Sequence, residues 1–258
     1  MPTAKFFTSP YIPFLPLVSA VSWGGMLIAL LVCWSVQGKP IYSWMDHYSN
    51  PVYISDIGAT NLQPVFISFV CLSCLVHFFS VGCMLYLRIF YQGVQRDVKW
   101  VGIVGLVFLG ISQIGITCVS CFNTHIFQHV HAAFLAIFIV GMFIALVFQV
   151  TELCLLSAQL KKQDQELNWH KNRYNVLGSL KVIFLVFAVI FAICFGSISS
   201  NKERSIVTRF EWILSFWYCF LFPIYSLEYY WLLKYDIKIM QDCGRIDSPD
   251  IGSEIKSS

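Results

Sequence analysis

The chain has 258 residues, 57% of them hydrophobic and only 12% charged, with a formal net charge of +3. A soluble domain carries roughly 25% charged residues, so this composition cannot cover a water-facing surface and excludes a soluble globular fold. Long apolar runs, rather than short alternating segments, exclude a β-barrel. They predict an all-α polytopic membrane protein, a bundle of six transmembrane helices.

In chain order, residues 1–13 carry one charge, Lys5. They are assigned to a cytoplasmic N-terminus. Span 1 covers 14–36 and contains no charge. It is too long for a signal h-region and shows no small-residue cleavage site, so it reads as a retained span. The loop 37–62 follows, with Lys39, Asp46, His47 and Asp56, and with Tyr42, Trp44 and Tyr53 suited to an interface.

Within that loop lies Tyr53-Ile54-Ser55-Asp56-Ile57-Gly58. Asp56 is one of two acidic residues among the first 90. Ser55 and Asp56 can bond nearby amides, and Gly58 can supply the positive φ of a tight turn. Two readings stand. One is a turn delivering the chain into a helix near Gln63; the other is a lid over the bundle.

Span 2 covers 63–87 and is followed by a short basic loop with Arg88, Arg96 and Lys99. Spans 3 (101–122) and 4 (131–155) form a hairpin, because no Asp, Glu, Lys or Arg occurs between Lys99 and Glu152. Gly102, Gly105, Gly110 and Gly115 on span 3, with Gly141 and Ala145 on span 4, predict tight packing of the two. A polar loop runs from Lys161 to Arg173. Spans 5 (182–199) and 6 (210–233) complete the 14–235 membrane domain. The tail, 236–258, is assigned to the cytoplasm and reads as partly disordered.

Loop charges set the orientation. The N-terminus, the 2–3 and 4–5 loops and the tail hold 13 Lys and Arg, and the opposite side holds four. The positive-inside rule then places both termini in the cytoplasm. It also gives the inner loops a basic character suited to anionic lipids, phosphoinositides or phosphatidylserine.

The C-x-x-C pairs Cys71/Cys74 and Cys118/Cys121 lie in apolar runs. Structural zinc needs four placed ligands, so neither metal nor cofactor is expected, and no nucleic-acid partner. Polar groups inside spans are expensive. His77 in span 2 and Glu228 in span 6 either share a proton between neighbouring helices or act separately. At the outer end Asp56, the histidines His125, His129 and His131, and the Glu211-Trp212 pair either clasp three helix ends or form a lipid-hydrolase or acyl-transfer site. No H-x-x-x-D, H-E-x-x-H or G-x-S-x-G signature occurs. The expectation is therefore a protein without catalytic activity.

Four segments together resemble the DRAM/Sfk/Frag membrane family: Pro10-Tyr11-Ile12-Pro13-Phe14-Leu15-Pro16, Tyr53-Ile54-Ser55-Asp56-Ile57-Gly58, Val130-His131-Ala132-Ala133 and Arg209-Phe210-Glu211-Trp212. The resemblance leans towards the fungal Sfk-type branch. It implies six spans, support of a phosphatidylinositol 4-kinase complex and maintenance of lipid asymmetry at the plasma membrane. Other branches imply GPI-lipid remodelling in the secretory pathway (endoplasmic reticulum or Golgi) or autophagy modulation in the lysosome or vacuole.

Overall fold

The computed structural model describes residues 9, 11–45, 49–163, 168–197 and 204–237. The expectations for Lys5, Asp46, His47, residues 164–167 and the tail beyond 237 lie outside the described residues. Among the described residues there is no strand. A 3₁₀ turn, Ile12–Phe14, leads into α1 (Leu15–Val36). The remaining helices are α2 (Ile54–Gly58), α3 (Gln63–Tyr91), α4 (Arg96–Cys121), α5 (Gln128–Gln163), α6 (Asn168–Ser197), α7 (Arg204–Tyr218) and α8 (Leu221–Trp231). A π-helical turn, Leu232–Ile237, closes the described chain.

Six stretches are long and apolar enough to cross a bilayer. The protein is a multi-pass membrane protein. At about 1.5 Å per residue, the 36 residues of α5 reach far beyond a hydrocarbon core of roughly 30 Å. The expected polar loop 161–173 is therefore largely a continuation of α5 and α6.

Prolines mark where helices begin and break. Pro16 and Pro64 occupy the first turns of α1 and α3, where a missing N–H costs nothing. Gly93, with φ +62°, follows the C-cap of α3 and stops it. The last span is not one helix. Pro223 cannot donate to the Cys219 carbonyl, and the backbone tightens ahead of it. The Cys219 N–H goes to the Phe216 carbonyl (3.1 Å) and the Phe220 N–H to that of Trp217 (3.0 Å). The Ser215 carbonyl, which an unbroken helix would pair with Cys219, instead accepts the Trp23 indole N–H at 2.8 Å.

The spans close a ring in which α1 meets α3, α3 meets α4, α4 meets α5, α5 meets α6, α6 meets α7, and α8 returns to α1. The α4–α5 pairing is the most extensive, and glycines explain it. A Cβ at Gly115 would lie 2.9 Å from the Phe138 backbone nitrogen, and one at Gly141 would lie 3.2 Å from Ser112 Cβ. Such close backbone approach gains dispersion contacts in a solvent that gives helices no hydrophobic reason to associate. Serines fasten α1 to α3: Ser19 Oγ donates to the Ser73 carbonyl (3.0 Å), and Ser73 Oγ returns the bond (3.2 Å). Large apolar side chains such as Val21, Leu75, Ile114 and Ile183 face outward, as lipid requires.

Gly58 departs from the expectation. It ends α2 without a left-handed φ, so no positive-φ turn forms there. A Cβ at Gly58 would sit 2.5 Å from Phe66 Cδ1. The glycine is needed for close approach to α3, not for backbone freedom.

Candidate functional site

Two polar assemblies occupy opposite ends of the ring. At the first, α2 lies across the bundle. Its N-cap residue, Tyr53, has no side-chain cap. The capping oxygen comes from α7 instead: Glu211 Oε2 accepts the Ile54 N–H at 3.0 Å. A carboxylate at a helix N-terminus is well placed electrostatically. Trp212, next on α7, donates its indole N–H to the Val52 carbonyl at 2.9 Å. The Asn50 N–H goes to Ser205 Oγ at 3.0 Å. The start of the last span thus holds the whole approach to α2.

Asp56 is buried and accepts from Thr124 Oγ1 at 3.0 Å, tying α2 to the α4–α5 turn. His131 at the head of α5 is also buried. Its Nδ1 donates to the Phe122 carbonyl at 2.8 Å, which fixes the Nδ1–H tautomer. Tyr42 lies outside the spans. Partial burial first, and neighbouring Asp56 second, push its phenol above its ordinary value. Tyr42 stacks on Trp44, whose ring meets that of His125. His125 lies in the turn before α5, and His129 points outward on α5. They do not form a pair on one helical face. Ser55 belongs to the same lid and is half-buried.

Removing the Asp56 carboxylate leaves the Thr124 hydroxyl without its acceptor under a closed lid. We expect Asp56→Ala to cost about 1–3 kcal/mol and Thr124→Val to cost less, read as apparent unfolding midpoints of the detergent-solubilised protein. An Asp56→Ala midpoint equal to wild type would show that the lid does not depend on this bond.

The second assembly lies near the other end and was mostly not anticipated. Arg88 Nη1 meets Glu152 Oε1 at 2.8 Å, and its Nη2 meets Glu228 Oε1 at 2.5 Å. Lys181 Nζ meets Glu228 Oε2 at 2.7 Å and Gln149 Oε1 at 3.2 Å. Tyr225 OH also donates to Gln149 Oε1, at 2.6 Å, and the Lys181 ammonium lies 4.6 Å from the Tyr225 ring centroid. Two cations and two carboxylates from α3, α5, α6 and α8 compensate each other inside the bundle. All four are buried.

This decides between two readings and corrects one expectation. His77 and Glu228 do not share a proton. His77 Nδ1 pairs with Tyr218 OH at 3.1 Å, which also accepts from Gln113 Nε2 at 3.4 Å, whereas Glu228 serves Arg88 and Lys181. Arg88, Arg173 and Lys181, counted as loop charges, are buried in the protein. Arg96, Lys99 and Lys161 remain exposed; the side chains of Lys162 and Lys171 lie outside the described residues. The missed network did leave a sequence signal. Arg88 and Glu152 stand at the edges of apolar runs, where charges are usually topogenic, and nothing local separates the two roles. The nine cysteines among the described residues are free thiols.

A family model described as the Frag1/DRAM/Sfk1/Cwh43P N-terminal domain matches residues 11–230. The chain belongs to this family. Protein SFK1 of Saccharomyces cerevisiae is a relative, 31% identical over 283 aligned positions that cover 87% of this chain and 78% of the relative. Protein sfk1 of Schizosaccharomyces pombe is 30% identical over 224 positions, covering 81% of this chain and 60% of the relative. No solved structure matches the chain.

The geometry shows what the Frag1/DRAM/Sfk1 segments do here. Three of the four, containing Asp56, His131 and Glu211-Trp212, meet at the lid although they are far apart in sequence. The fourth, the proline-rich entry, is fastened elsewhere: Ser226 Oγ on α8 donates to the Pro13 carbonyl at 2.5 Å.

Proposed function

We propose that this protein is a non-enzymatic member of the Frag1/DRAM/Sfk1 family that organises lipids at the plasma membrane and supports a phosphatidylinositol 4-kinase complex there, with both termini cytoplasmic. One observation carries the non-enzymatic reading. Four side chains of the lid each make a fastening bond: Glu211 to the Ile54 amide, Asp56 to Thr124, His131 to the Phe122 carbonyl and Trp212 to the Val52 carbonyl. A catalytic acid or base needs reach to a substrate proton, and these groups are already engaged, three with the backbone and Asp56 with the Thr124 hydroxyl. Exposed Arg96, Lys99 and Lys161 at the opposite end suit contact with anionic inner-leaflet lipid, at about 1 kcal/mol each. Engineered glycosylation near Gln165, if found modified, would overturn the orientation.

GPI-lipid remodelling is the second reading, favoured by His131 and Glu211 lining one cavity. Deleting the gene and following a phosphatidylinositol 4-phosphate sensor beside GPI-lipid composition separates the two. The expected result is a lost plasma-membrane sensor signal, restored by Asp56→Asn and His131→Ala at normal expression. Normal sensor signal with altered GPI lipids would replace the proposal with the remodelling reading.

A further inference from the structure

Beneath the lid the ring encloses a cavity of about 450 Å³. Its walls come from α1 (Trp23, Met26), α5 (Leu135, Phe138), α6 (Phe184, Ala188) and other apolar side chains. The cavity is not closed: Val140 and Phe143 of α5 and Ile193 of α6 line it and are exposed, which puts its opening on the side between α5 and α6. The polar groups are unevenly placed. Ser55, His131 and Glu211 gather at the lid end. Tyr218 lies deeper, with its hydroxyl turned to His77 and Gln113. No Lys or Arg lines the space. An apolar chamber with a few polar groups at one end is how proteins hold small amphiphiles.

We propose that this cavity binds one acyl chain of a neutral lipid whose head bears a hydroxyl, drawn sideways from the leaflet that meets the lid. Volume sets the chain. At roughly 30 Å³ per group, the space of a water molecule in the liquid, the cavity holds about fifteen methylene-sized groups. Charge sets the head. No Lys or Arg lines the space to pair with an anionic phosphate, whereas a hydroxyl needs only a polar neighbour such as Ser55 or Glu211 at the lid end. Polar groups held in apolar surroundings need such a partner. The site holds whichever membrane houses the protein, and it requires no reaction.

The test uses the full chain in phosphatidylcholine nanodiscs containing diacylglycerol with a photoactivatable group on one acyl chain, or phosphatidate with the same chains. After irradiation, labelled peptides are mapped. Labelling should concentrate on the cavity-facing residues of α5 and α6, with diacylglycerol labelling about fivefold above phosphatidate, about 1 kcal/mol. Ala188→Trp and Leu214→Trp fill the space from different helices. Each should cut cavity labelling about fivefold, whereas Leu75→Trp on the outer face of α3 should leave it unchanged. Labelling spread evenly over the outward faces of the wild-type protein would overturn the site, and so would wild-type labelling in both cavity-filling variants. Equal labelling by the two lipids would overturn the assignment of the head. None of these outcomes depends on the kinase sensor, so this proposal and the functional one fail separately.

Discussion

Arg88→Met should lower the apparent unfolding midpoint in detergent by about 10 °C. The substitution keeps most of the side-chain volume and removes only the charge and the fork of donors. Glu152 then loses its partner, and Glu228 keeps Lys181 alone. Breaking a buried pair from one side costs about 3–5 kcal/mol, because the remaining charge stays in a poor solvent for it. For a chain of this size each kcal/mol moves the midpoint by about 2–4 °C. The double variant Arg88→Met/Glu228→Gln removes one charge of each sign. It should lose less than the sum of the two single variants, since groups in one network are not additive. A midpoint for Arg88→Met within about 2 °C of wild type would mean that the four charges do not brace the bundle.

Gly115→Ala should destabilise the protein by about 1–3 kcal/mol, an unusual cost for one methyl group. The added carbon would meet backbone atoms, the Phe138 nitrogen at 2.9 Å and the Phe134 carbonyl at 3.1 Å. No rotamer change relieves such a contact; α4 and α5 must separate. Gly25→Ala provides the comparison, because nothing lies within 4 Å of a Cβ there. Alanine is the better helix former by about 1 kcal/mol, so that variant should melt at or slightly above the wild-type temperature. Equal midpoints for the two variants would show that the close α4–α5 approach is absent.

The number of spans was legible because lipid demands about twenty apolar residues per crossing, and six such runs stand in the sequence. The α4–α5 glycines were legible for a related reason: small residues at repeated spacing have little other use in a membrane helix. The break in the last span was not read, although Pro223 was in plain view, because proline inside a transmembrane run is often tolerated. The lid residues were found individually, but their partners were not. Glu211 was placed at the right end of the bundle, yet nothing local reveals that its acceptor is used 157 residues away. The charge network is the clearest case of ambiguity. Arg88 and Lys181 carry the same local pattern as any basic residue at a span edge. Only the closing of the ring decides that they face inward.

The interruption between α7 and α8 divides the mechanical work of the last span. An unbroken rod would pass any tilt at its lid end straight to Glu228. Here α7 holds the lid through Glu211 and Trp212, while α8 carries Tyr225 and Glu228 into the ionic brace. Between them the tightened backbone at residues 216–220 acts as a joint, and the Trp23 indole on the Ser215 carbonyl seats its upper arm against α1. The lid and the ionic brace at the opposite end are thus fastened by separate halves of one span.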